Sequence, residues 1–267
     1  MTSFDSDTAL EVRGPGLYEG RIERRWWVDR GPNGGYLAAI VLRALALTVG
    51  DPERAPRSLA VHYAAVPEEG PVRVECVVER AGRSVATLSA RVLQGERLVA
   101  LALAAFSKSW PGAEYADAVM PDVPAPESLD ALAAGPLRPP FLSNFDMRWA
   151  VGGPPLSGSG SARAGGWLRP IEPRPADALL VAALTDAWAP SPFSRLSAPA
   201  AAPTIDLTIH FRSPLPPPGA RDDDFYLGVF HSRTAADGFF EEDGEIWTRD
   251  GLLLAQSRQL ALLLPAP

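Results

Sequence analysis

Between residues 35 and 49 the apolar side chains Leu37, Ile40, Val41, Ala44 and Leu45 recur at helical spacing, after Asn33-Gly34 and before Gly50-Asp51-Pro52. Those flanks are start and stop signals for a helix. A second run, residues 175–188, puts Leu179, Leu180, Ala183, Leu184 and Ala187 on one helical face, opened by Pro175 and closed by Ala189-Pro190. Both runs are nearly apolar all round, which predicts helices buried on most sides.

Each helix is followed by a strand-like segment, residues 59–63 and 205–211, with His62-Tyr63 and His210-Phe211 at matching places. In the first copy Val72, Val74, Cys76 and Val78 alternate with Arg73, Glu75, Val77 and Glu79, the period of a strand with one buried face. In the second, Thr204, Asp206, Thr208 and His210 alternate with Ile205, Leu207, Ile209 and Phe211, so those four polar residues are expected on one face. A turn at Ala81-Gly82-Arg83 and closing hairpins at residues 95–100 and 250–255 complete the pattern. One order of elements, helix then antiparallel meander, thus occurs twice.

A helix without a polar face has to be wrapped, and a curved antiparallel sheet does this. The chain is therefore read as α+β, with one unit over residues 1–108 and a second over residues 143–267. Residues 109–142, dense in Pro and Ala without sustained periodicity, read as a linker, and residues 157–161 as a flexible Ser/Gly loop.

Charge and composition then exclude several classes. With 25 Lys+Arg against 32 Asp+Glu the formal net charge is -7, which argues against nucleic acid as the main partner. Arg43, Arg91 and Asp186 interrupt the most apolar stretches, and none reaches the roughly 18–20 residues of a membrane helix. No basic leader precedes an apolar run at the N-terminus, and the single Cys76 offers neither a disulfide nor a metal cluster; both fit a cytoplasmic protein. The chain contains no G-x-S-x-G elbow, Walker loop, dinucleotide fingerprint or H-E-x-x-H.

A few polar residues sit where chemistry could happen. Asp186, amid Leu, Val and Ala, is either a helix-end residue with local bonds or a buried carboxylate placed to act as a general base. Gln259, between Ser257 and Ala261 on a period of two, needs hydrogen-bond partners if buried. Superposing His62 on His210 sets Pro56 against Thr204, and superposing the closing hairpins sets Ala104 against Gln259, so only the second copy carries the polar set. The Asn33-Gly34-Gly35 turn offers helix N-terminal amides suited to a developing oxyanion, or else glycines for tight packing. Cys76 reads as core, His62, His210 and His231 as structural, and Trp26, Trp27 and Trp149 as core or the lining of an acyl tunnel.

Five segments together resemble the double hot-dog acyl-CoA thioesterases of the thioesterase II type: Gly31-Pro32-Asn33-Gly34-Gly35-Tyr36, Arg80-Ala81-Gly82-Arg83-Ser84, Ala183-Leu184-Thr185-Asp186, Thr204-Ile205-Asp206, and Asp250-Gly251-Leu252-Leu253-Leu254-Ala255 with Gln259. The resemblance implies two fused hot dogs and hydrolysis of acyl-CoA to free acid and CoA, with no metal, no cofactor and no covalent intermediate. It implies that Asp186, Thr204 and Gln259 hold the attacking water, while the amides of Asn33, Gly34 and Gly35 remain the candidates for the substrate oxyanion on the helix-terminus reading above. Asp29 is a fallback acid, because some single hot dogs carry theirs in the turn before the helix. Sheet edges and apolar segments point to a homodimer or higher homo-oligomer. A non-hydrolytic acyl-thioester binding protein is the competing reading, and a hydratase or dehydratase on the same fold a third.

Overall fold

The computed structural model describes residues 1–132 and 139–265; part of the segment read as a linker, residues 133–138, lies outside the described residues. Helix α1 (Ser3–Asp7) leads into strands β1 (Glu11–Gly14) and β2 (Leu17–Ile22), then helix α2 (Gly34–Val49). The meander β3 (Ala55–Tyr63), β4 (Gly70–Ala81), β5 (Val85–Gln94) and β6 (Arg97–Ser107) follows. Strands β7 (Phe145–Val151) and β8 (Ala162–Pro170) precede helix α3 (Ala178–Leu184). The chain closes with β9 (Ala200–Ala201), β10 (Thr204–Phe211), β11 (Tyr226–Ser232), β12 (Ala235–Ala236), β13 (Phe239–Trp247), β14 (Leu253–Leu262) and β15 (Leu264–Pro265).

Thirteen of these strands form one antiparallel sheet in the order β1-β2-β4-β5-β6-β3-β10-β14-β13-β11-β8-β7, with β12 on β13. The two meanders join edge to edge where β3 pairs with β10, Val61 opposite Leu207. That pairing removes two edges that would otherwise be exposed.

Helix α2 begins where the sequence signals it. The Asn33 side chain accepts the Tyr36 N–H, and Gly50 ends the helix in the left-handed region at φ 62°. From Gly35 to Leu42 every residue is buried, because the helix packs against α3 on one side and β3 to β6 on the other. Fully burying each large aliphatic contributes roughly 1.5–3 kcal/mol, so a helix with no polar face is stable only inside this wrap.

The second helix is shorter than the apolar pattern predicts. Asp177 caps it by accepting from Leu180 N–H, but it stops at Leu184 rather than running to Trp188. The Thr185 hydroxyl donates back to the Ala182 carbonyl at 2.8 Å, and Pro190 bars the preceding residue from continuing a helix. Thr185 and Asp186 therefore form a turn, and Asp186 lies beyond the helix end instead of on its face.

Alternation on β10 is also interrupted. Thr204 stands opposite Ala261 and Asp206 opposite Leu260, so Ile205 is an extra, bulged residue. The bulge turns Thr204 away from the face of Asp206, Thr208 and His210 and points it inward. The same irregularity occurs between Pro56 and Ser58 of β3, the positions superposed on Thr204 and Asp206 through the two histidines.

Candidate active site

Asp186 is held where the C-terminal end of α3 meets the N-terminus of α2. Its Oδ2 accepts from Asn33 Nδ2 at 2.9 Å and from Gly35 N–H at 3.0 Å, and its backbone carbonyl accepts from the same Nδ2 at 2.6 Å. The contact depends on glycine: a Cβ at Gly35 would lie 2.6 Å from the Ala183 carbonyl oxygen and 3.0 Å from Asp186 Cβ. Burial drives the carboxyl up to about 6, while the Gly35 and Gly34 amides and Asn33 pull the other way. Asn33-Gly34-Gly35, expected to serve a substrate oxyanion, thus spends the Gly35 N–H and the Asn33 amide on orienting Asp186.

A second polar group is built across the sheet. The Thr204 hydroxyl donates to Gln259 Oε1 at 3.0 Å, and Gln259 Nε2 donates to Glu242 Oε1 at 2.6 Å. The other Glu242 oxygen accepts the Ser191 N–H at 2.5 Å, an amide at the start of the 3₁₀ turn Ser191–Ser194. Glu242 is only 3% exposed and Gln259 5%. Burial raises the Glu242 carboxyl to about 7 against the hydrogen bonds from Ser191 and Gln259, with the negative charge of Asp186 adding to the rise.

The three residues singled out in the sequence therefore fall into two parts: Thr204 and Gln259 are directly bonded, and Asp186 is bonded instead to Asn33 and Gly35, its charge acting on Glu242. Glu242 itself escaped the sequence reading because Glu241-Glu242-Asp243 looks like a solvated charge run. The available signal was parity, since Glu242 shares a period of two with Phe240 and Ile246, both buried. Tyr63 was also missed as a site residue; its hydroxyl donates to the Gly34 carbonyl at 2.8 Å, and burial with the charges of Asp186 and Asp206 holds it protonated well above the usual phenol range.

Other candidates lie elsewhere. Asp29 is exposed before α2 and is not among the partners of Asp186. Cys76 is buried, its thiol pushed up to about 11 by burial. Trp26 stacks on Tyr36 at 4.7 Å in the core, whereas Trp149 meets Trp188, two residues past Asp186, edge-on at 5.3 Å. Among the described residues no cluster of His, Cys, Asp and Glu is arranged to hold a metal, and no helix is long and apolar enough to cross a membrane.

Comparison with known families sets this geometry in context. Residues 23–107 match the acyl-CoA thioesterase N-terminal domain and residues 117–263 the acyl-CoA thioesterase C-terminal domain. The chain belongs to the acyl-CoA thioesterase family. This thioesterase is a thioester hydrolase with an α+β double hot-dog fold. It is similar over its whole length to a hot-dog protein of unknown function from Alicyclobacillus acidocaldarius, at 30% identity and TM-score 0.88, covering 99% of that chain. The tesB protein of Mycobacterium avium subs paratuberculosis has the same fold at 21% identity and TM-score 0.78, with 98% of each chain covered. So does the acyl-CoA thioesterase II TesB2 of Mycobacterium marinum, at 22% identity and TM-score 0.75, with 99% of each chain covered. Curated protein sequences give no match to this thioesterase.

Proposed function

We propose that the chain hydrolyses an acyl-CoA thioester to free acid and CoA by direct attack of water, with Asp186 as general base and Thr204 and Gln259 orienting the water. The observation that supports this most is the buried carboxylate of Asp186, its proton affinity raised to about 6, whose charge acts on Glu242, the carboxylate hydrogen-bonded to the Gln259 that Thr204 in turn contacts. A base of that strength is ionised at neutral pH yet still takes a proton readily.

The hydrogen bonds from Asn33 Nδ2 and the Gly35 N–H both end on Oδ2, so Oδ1 is assigned as the oxygen through which Asp186 takes the proton of the water. The Thr204 hydroxyl gives its hydrogen to Gln259 and so offers lone pairs to the other water hydrogen. Hydroxide character then develops at the water oxygen as it adds to the thioester carbonyl carbon. Collapse of the tetrahedral intermediate breaks the C–S bond, and the thiolate of CoA leaves and takes up the proton that Asp186 removed from the water, which restores the base.

The experiment is free-thiol release from a panel of acyl-CoAs, short to long and aromatic, by wild type and Asp186→Asn side by side. Turnover in the wild type that is lost in the variant supports the assignment. Turnover unchanged in the variant removes Asp186 from the mechanism. Acyl-CoA binding without turnover in the wild type replaces hydrolysis with a binding role.

A further inference from the structure

The Gln259 amide has an oxygen end and a nitrogen end of nearly equal size, and something must decide which faces Thr204. Glu242 stands directly opposite Gln259 on the β13–β14 ladder, and Leu207 stands opposite Gln259 on the other side. In the superposed first copy the row reads Leu59, Ala104 and Leu88. The same fold thus accepts an apolar row at this place, and a buried carboxylate is costly where an apolar residue fits. No Lys or Arg pairs with Glu242 among the described residues; its partners are Ser191, by its N–H and the hydroxyl beside it, and the Gln259 amide.

Resting on the hydrolytic reading above, we infer that Glu242 is a positioning residue that fixes the orientation of the Gln259 amide and, through it, the Thr204 hydroxyl. One carboxylate oxygen is committed to the Ser191 N–H. The other can only accept from Gln259 while Glu242 is ionised, so Nε2 turns toward Glu242 and Oε1 toward Thr204. The Thr204 hydrogen is thereby drawn to Gln259 and its lone pairs are left for the water. If Glu242 carries a proton, its O–H donates instead, the amide turns over, and Thr204 meets an N–H donor.

Glu242→Gln tests this with little change of shape. Its single oxygen stays with the Ser191 N–H, so its NH₂ faces position 259 and forces the Gln259 amide to reverse. We expect kcat on acyl-CoA to fall on the order of 10²-fold, as when one positioned hydrogen-bonding group is lost, with KM changed less than about 2-fold. In the wild type kcat/KM climbs through two ionisations, Asp186 and then Glu242; in the variant one remains. In a Gln259→Ala background the same substitution costs nothing further, because its route is gone.

Full activity in Glu242→Gln, or an undiminished loss in the Gln259→Ala background, overturns the inference while leaving the hydrolytic reading intact, provided Asp186→Asn is inactive. If Asp186→Asn and Gln259→Ala both retain full activity, the assignment of the residues that hold the water falls instead, and if the wild type binds acyl-CoA without turnover the hydrolytic reading itself falls. Should Glu242→Gln fail to fold, the wild-type protein answers by NMR: the Gln259 side-chain amide resonance should titrate together with the Glu242 carboxyl carbon. An amide that does not move as Glu242 titrates overturns the inference.

Discussion

Asp186 and Gly35 are joined across the contact of α3 with α2, the carboxylate oxygen 3.0 Å from the backbone N–H, at a point where the two segments are too close for any side chain at position 35. The helix N-terminus carries partial positive charge that favours an anion, so the fold places Asp186 where its ionised form is held and aimed. Removing the carboxylate while keeping the shape should therefore separate chemistry from folding. Asp186→Asn retains an oxygen for Gly35 and Asn33 and should keep its far-UV circular dichroism while losing at least about 10³-fold in kcat, a loss within the range for general-base removal.

Gly35→Ala tests the contact itself. The added methyl would meet the Ala183 carbonyl at 2.6 Å and must push α3 away. Overpacking of this kind costs roughly 1–3 kcal/mol, read as a lowered denaturant midpoint. Turnover should fall more than the loss of folded protein explains, because Asp186 moves with the Ala183 segment.

Thr204→Ala and Gln259→Ala should each slow thioester cleavage by about 10²-fold. Since the two side chains are bonded to each other, the double variant should lose much less than the product of the two single losses. Losses that multiply in steady-state kinetics would show that they act independently.

The pH dependence has a defined sign. Asp186, raised to about 6, must be ionised to take a proton, so kcat/KM should fall as pH drops through about 6. Glu242, raised to about 7 in part by Asp186, adds a second step just above it. Interacting carboxyls titrate as a pair, so the profile reports two apparent values belonging to both. A rate independent of pH between 5 and 8 would contradict a carboxylate base at this site.

Stability should move oppositely. Folded Asp186 and Glu242 bind protons more tightly than in the unfolded chain, so between pH 4 and about 7 the folded state holds protons the unfolded state has released. The folded state therefore loses stability as pH rises through that window. Asp186→Asn removes one such group, so relative to wild type it should gain about 1 kcal/mol between pH 5 and pH 8, measured by denaturant unfolding at the two values.

Much of this was written along the chain. Periodicity located α2 and its caps at Asn33 and Gly50, and the strand on which Cys76 is core, because these depend on neighbours within a few residues. Two residues of the candidate site, Asp186 and Gln259, were legible as polar interruptions of apolar patterns, whereas Thr204 read as one of a regular polar face with Asp206, Thr208 and His210.

Their relations were not legible. The end of α3 at Leu184 is set by a threonine hydroxyl bonding back to the chain and by the approach of α2, which turns Asp186 off its helix face and onto Gly35. A single bulged residue, Ile205, reverses the face of Thr204, and a pattern of period two gives no sign of where a ladder slips by one. Glu242 joins the site only through the pairing of β13 with β14, which sets it opposite Gln259. The sequence by itself determined helix α2, the start of α3, the strands read from their alternation and which residue types were available, because those follow from local spacing. Only the tertiary structure decided which polar groups meet, because a bulge, a helix end and a cross-strand neighbour are set by contacts distant in the chain.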